Sequence, residues 1–224
     1  MSDRLVRWGG IAGVVFVVLI LVTVFAPGEP PAGDDSVDQI REFMVDNRSM
    51  LLVANAVGLL AAPFVIWFFV VLRDVLRGDQ IANALGTAMV LGMVLVTALA
   101  MAGGSVSVSA IYLDGAAEQL GDDTLRIVFE AQGLLFGATS AGLLLMSVTA
   151  AMAIRRTGAL PMYTMWIAWL AAIGSLAGMA STLDAEMGAM GFFGLATLCL
   201  FVLVTGITMA TGKAKAPVPA ATTP

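Results

Sequence analysis

The sequence predicts an all-α protein, a polytopic membrane helix bundle with six transmembrane helices and both termini cytoplasmic. Three observations predict it. Of 224 residues, 59% are hydrophobic and 12% charged, where soluble domains run at about 45–50% and about 25%; a water-soluble fold of this size lacks the polar residues to cover its surface. Six apolar segments approach the length that a helix needs to cross a bilayer core, about 20 residues for ~30 Å. The basic residues of the short connections divide eight to three between the two sides, and the richer side is cytoplasmic.

The first segment, about Trp8 to Ala26, follows Arg4 and Arg7. Val24-Phe25-Ala26 resembles a small-residue cleavage site, but the apolar run is longer than a usual signal h-region, so an uncleaved anchor is expected. Residues 27–35 form a breaker-rich acidic loop, and Ser36 with Gln39 makes a capping box that opens a short helix over about 36–48. Val37, Ile40 and Met44 share one face with Phe43 nearby, which suits a connector resting on the outer membrane surface over the bundle. A partner-binding helix is the alternative.

The remaining spans are about Leu51 to Leu72, Ile81 to Gly103, Gly133 to Ile154, Leu160 to Leu183 and Met190 to Thr211. None alternates with period two, as a membrane barrel strand would, so helices are the expected way to satisfy the backbone in lipid. Residues 1–212 form the transmembrane domain, and 213–224, ending Ala-Pro-Val-Pro-Ala-Ala-Thr-Thr-Pro, form a disordered cytoplasmic tail.

On the cytoplasmic side fall Arg4, Arg7, Arg73, Arg77, Arg155, Arg156, Lys213 and Lys215; on the outer side, Arg41, Arg48 and Arg126. Asp3, Asp74 and Asp79 are the inner acids, while the other thirteen, among them Glu29, Asp34, Asp35, Asp122 and Asp123, lie outside. All four tryptophans, Trp8, Trp67, Trp166 and Trp169, sit towards cytoplasmic span ends, as in an interfacial aromatic belt.

Histidine is absent and Cys199 is the single cysteine, which removes bis-His haem ligation, Cys-rich metal sites, intrachain disulfides and His-based catalysis. A net charge of −5 with no basic stripe excludes nucleic acid as partner. No Walker lysine loop, dinucleotide fingerprint, paired intramembrane aspartates or zinc spacing occurs. Neither an enzyme nor a cofactor is expected.

Glu130 is the acid nearest a span, and an intramembrane carboxylate is a functional candidate. Counting about 20 residues back from Ile154 puts the outer boundary near Leu135, so Glu130 lies about a turn outside. Arg126, four residues earlier, shares its face, so an interfacial ion pair is expected ahead of a proton or cation site. Gln132 and Asn55 lie at comparable depth and complete a candidate outer polar site; with Asp114, Asp184 and Glu186 they could line an acidic vestibule, though such acids are ordinarily solvated surface.

Small residues recur at helix-contact spacing in Gly133-x-x-x-Gly137-x-x-x-Ala141, Gly174-x-x-x-Gly178 and Ala84-x-x-x-Ala88-x-x-x-Gly92. They are expected to pack the protein's own bundle, with homo-oligomerisation the second use. Ser105 and Ser109 follow Gly103-Gly104 on one face and return hydrogen bonds to the backbone. The fourteen methionines are read as core filler.

Arg7-Trp8-Gly9-Gly10-Ile11-Ala12-Gly13 and Arg155-Arg156-Thr157-Gly158-Ala159-Leu160-Pro161 resemble the uncharacterised six-span, actinobacterial-type integral membrane proteins that carry a domain of unknown function. The resemblance extends to about Gly212, with Met162-Tyr163 standing where that pattern often has a basic residue, and it implies no catalytic residues. The expected function is that of a multi-pass bacterial plasma (inner) membrane protein without enzymatic activity, binding membrane lipid or a membrane-protein partner. A small-solute or ion transporter or channel is the alternative.

Overall fold

Segments that are apolar on every face become helices, because only intrachain hydrogen bonding can satisfy their backbone in lipid. The computed structural model describes residues 2–31, 35–113, 115–180 and 189–214. Its elements are α1 (Asp3–Phe25), α2 (Val37–Asp46), α3 (Arg48–Val75), α4 (Gln80–Ser109), α5 (Ala116–Gln119), α6 (Asp122–Thr157), α7 (Met162–Ala180) and α8 (Ala189–Ala210). Six of them, α1, α3, α4, α6, α7 and α8, are long and apolar enough to cross a membrane. The protein is thus an all-helical bundle built as an integral membrane protein is.

Helix ends differ from the apolar segments for local reasons. α6 begins at Asp122 and runs for 36 residues, about 54 Å at 1.5 Å per residue, so it outreaches a ~30 Å hydrocarbon core. Asp122 and Asp123 stand in its first turn, where they complement the positive end of the helix dipole. The stretch 116–124 between the long helices α4 and α6 thus holds the short α5 and the first turn of α6. At the other end Gly158 takes φ 60° as the C-cap, bonding back to Ile154 O, and Pro161 precedes α7; glycine is the residue that adopts this conformation without strain. Pro63 lies within α3 without ending it.

The spanning helices form a closed ring in chain order: α1 against α3, α3 against α4, α4 against α6, α6 against α7, α7 against α8, and α8 back against α1. Glycines set the closest approaches. A Cβ on Gly206 would lie 2.8 Å from Gly10 O, joining α8 to α1, and one on Gly92 would lie 2.8 Å from Gly142 O, joining α4 to α6. A Cβ on Gly178 would lie 2.6 Å from Ser140 Oγ, across α7 and α6, and one on Gly174 would press on Thr197 of α8. Close approach on α7 therefore falls at Gly174 and Gly178. Gly133 and Ala141 are exposed and Gly137 half-buried, and a Cβ on Gly133 would meet nothing within 4 Å among the described residues. The packed stripe of α6 runs instead through Ser140, Gly142, Leu143, Met146 and Ala150. On α4, likewise, Gly92 packs while Ala84 is exposed.

Two apolar clusters result. The larger fills the ring with Phe68, Phe69, Met89, Met146 and Phe201 at its heart, all with 0% exposure. The smaller gathers Ile40 and Met44 of α2 with Ala110, Ile111, Ala117 and Leu125 beneath them. α2 thus lies over the ends of α3, α5 and α6, starting at the Ser36/Gln39 capping box with Ile40 and Met44 facing inwards.

Candidate functional site

The two ends of the bundle carry opposite chemistry. Arg4, Arg7, Arg73, Arg77, Arg155, Arg156 and Lys213 belong to one end, and α2, α5 and the acidic first turn of α6 to the other. At the acidic end each of the three arginines is engaged. Arg41 donates to Ala117 O and to Leu120 O at 3.0 Å and pairs with Asp122 at 2.6 Å. Arg48 donates to Ile111 O at 2.8 Å and Tyr112 O at 3.0 Å. Those carbonyls lie at and just beyond the ends of α4 and α5, where acceptors have no helical donor. The capping contacts outweigh the ion pair, because Asp122 is 74% exposed and a solvated pair contributes little.

Arg126 Nε donates to Glu130 Oε1 at 2.9 Å, so the pair expected from their spacing is formed. Both side chains are substantially exposed, at 43% and 55%, and the contact joins successive turns of α6. Asn55 belongs elsewhere: its Oδ1 lies 2.6 Å from where a Gly104 Cβ would stand, which makes it a packing residue between α3 and α4. Gln132 is half-buried on α6. Among the described residues, then, Arg126 and Glu130 form an ion pair and Asn55 a contact between α3 and α4. Asp114, Asp184 and Glu186 lie outside the described residues, as do residues 215–224. Ser109 Oγ donates to Val106 O at 2.6 Å, the backbone return expected of it.

At the basic end Asp79 caps α4, accepting from Ala82 N at 2.9 Å. It also takes a forked contact from Arg156, with Nε 2.8 Å from Oδ1 and 2.9 Å from Oδ2, tying the α3–α4 turn to the end of α6. The Arg156 hydrogen bonds first, and the Ala82 N–H next, hold the Asp79 carboxyl down at about 2 from 3.8. Arg155, the other half of the doublet, has no ion pair or hydrogen bond among the described residues. Beside it Met162, Met165, Trp166 and Trp169 line a half-open cleft of about 370 Å³. In the sequence Arg155 marks topology and belongs to the 155–161 motif, and the tryptophans mark the belt; the one signal of the cleft is the closeness of Arg-Arg to Met-Tyr-Thr-Met-Trp-Ile-Ala-Trp across one short turn.

Within the spans most buried hydroxyls serve their own helix: Thr97 donates to Met93 O, Ser175 to Ala171 O and Thr197 to Phe193 O at 2.7–2.9 Å. Ser147 and Thr205 are buried with no hydrogen-bond partner among the described residues. No group of three metal-ligating side chains occurs among those residues. No family model, curated protein or solved structure matches the chain.

Proposed function

We propose that the protein is a non-enzymatic, multi-pass protein of a bacterial plasma membrane, basic end in the cytoplasm, that acts by binding lipid or another membrane protein. The observation that carries this reading is the filled ring. Phe69 stacks on Phe201 at 6.4 Å and meets Phe68 edge-on at 5.0 Å, and these rings with Met89 and Met146 occupy the centre where a solute path would run. What the molecule offers to others is its perimeter, and in lipid a perimeter recognises helices or lipids. The bacterial placement rests on the resemblance of residues 7–13 and 155–161, and the orientation on the basic residues. Isolation from native membranes in mild detergent tests the reading: a co-purifying membrane protein or retained lipid is expected, and a solitary, lipid-free protein would count against it.

Transport is the second reading, and the unpartnered hydroxyls of Ser147 and Thr205 favour it, since polar groups within spans mark pathways. Proteoliposome flux separates the two. The filled ring predicts no flux for a broad panel of small solutes, and the exposed position of Glu130 predicts that Glu130→Gln changes nothing.

A further inference from the structure

The cleft beside Arg155 combines apolar walls with a single cation. Its walls are apolar and aromatic, Met165 is 5% exposed at its floor while Met162 and Trp166 stand out at 61% and 65%, and the single charged residue lining it is Arg155. Arg155 belongs to the last turn of α6 and Met162 opens α7, so the cleft starts at the polar boundary of the bundle. Trp169, seven residues along α7, carries the wall about 10 Å further towards hydrocarbon depth. The arrangement is a cation at the mouth of an apolar slot.

We propose that this cleft binds one anionic phospholipid, its phosphate on the Arg155 guanidinium and an acyl chain along Met162, Trp166 and Trp169. Charge complementarity selects the occupant. Arg156 is neutralised by Asp79, no acid lines the cleft, and Arg155 is left with its fork of donors unused among the described residues. A guanidinium fork matches phosphate oxygens two at a time. A soluble anion would use the guanidinium and leave the slot empty; a hydrophobic helix would fill the slot and strand the cation. A lipid with a charged phosphate satisfies both, at the depth where indole rings meet headgroups.

The inference rests on the reading of the chain as a membrane-embedded, lipid-binding bundle, and the test separates the two. The full chain carrying Trp8→Phe and Trp67→Phe keeps Trp166 and Trp169 as reporters, and it is reconstituted in phosphatidylcholine vesicles. Flotation with the vesicles checks insertion by itself; failure there counts against the membrane reading. Fluorescence quenching is then compared between phosphatidylglycerol and phosphatidylcholine with brominated acyl chains, at equal low mole fraction.

The expected result is an apparent preference of about fivefold for the anionic lipid, the scale of one arginine near a charged surface. Arg155→Gln should abolish the preference and Arg155→Lys should retain part of it. Arg4→Gln, which removes the same charge from the same end, should leave it intact. Equal quenching by both lipids in the inserted parent protein, an equal loss in Arg4→Gln, or displacement of the lipid by millimolar inorganic phosphate would each overturn the proposal.

Discussion

Arg48 and Asp79 show how much at either end depends on a single side chain holding distant backbone. Arg48 reaches Ile111 O, 63 positions away in sequence, and Tyr112 O beyond it. Hydrogen bonds to a charged group contribute about 1.5–3 kcal/mol, and Arg48→Ala leaves those carbonyls without this donor. A loss of stability on that scale is expected in detergent denaturation, with faster proteolysis between α4 and α5; an unchanged midpoint would mean that water replaces the guanidinium. Asp79 works at the surface, and its effect follows pH. Its carboxyl is held at about 2 in the folded protein against 3.8 ordinarily, so the unfolded chain takes up the proton first. The contribution is fully present above 3.8 and is lost as pH falls through about 2. Thermal midpoints should therefore fall across that window in the parent protein and less in Asp79→Asn, and salt should blunt the difference. The Arg126–Glu130 pair was legible in the sequence because four residues make one helical turn. The clamps at Arg41 and Arg48 were not, because their acceptors are carbonyls, which carry no residue-specific signal.

Glycine spacing gives a test at the level of elements, since two glycines in similar sequence settings have opposite surroundings. A Cβ on Gly92 would press on Gly142 O and Met146 N, both at 2.8 Å, whereas one on Gly133 would meet nothing within 4 Å among the described residues. Gly92→Ala must part α4 from α6, and overpacking of this kind costs about 1–3 kcal/mol. Gly133→Ala should be neutral or stabilising by up to about 1 kcal/mol through helix propensity. Melting of both variants in one detergent decides it; equal effects would mean that the α4–α6 contact is not set by backbone approach. Six spans were legible because hydropathy sums over some twenty residues and tolerates local error. The packed stripe was less legible: a helix apolar all round gives no period by which to tell its protein face from its lipid face. Gly174 and Gly178 fell on the packed side, and Gly133 did not. α2 was readable in detail, because one polar face, one apolar face and a capping box all survive in its sequence.

For the whole molecule the decisive experiment concerns which end faces the cytoplasm. In a Cys199→Ala background, Asp35→Cys and Asp122→Cys should react with a membrane-impermeant thiol reagent in intact cells, and Thr157→Cys only after the membrane is opened. The reverse pattern would turn the acidic end inwards; reaction at both Asp35→Cys and Thr157→Cys in intact cells would alter the number of spans between them. The end that each residue joins was readable from charge, but the closed order of the helices was not, because a sequence of apolar spans does not state that the first meets the last. That closure bears on biosynthesis. A chain emerging from its N-terminus can dock α3 on α1, α4 on α3, and so onward as each helix is released into the bilayer. The backbone contact of Gly10 with Gly206 cannot exist until α8 has been made. Until then α1 holds half of a seam open to the membrane, so a ribosome that stalls before α8 leaves behind an unclosed ring whose glycine face remains exposed to any quality-control protease that surveys the lipid.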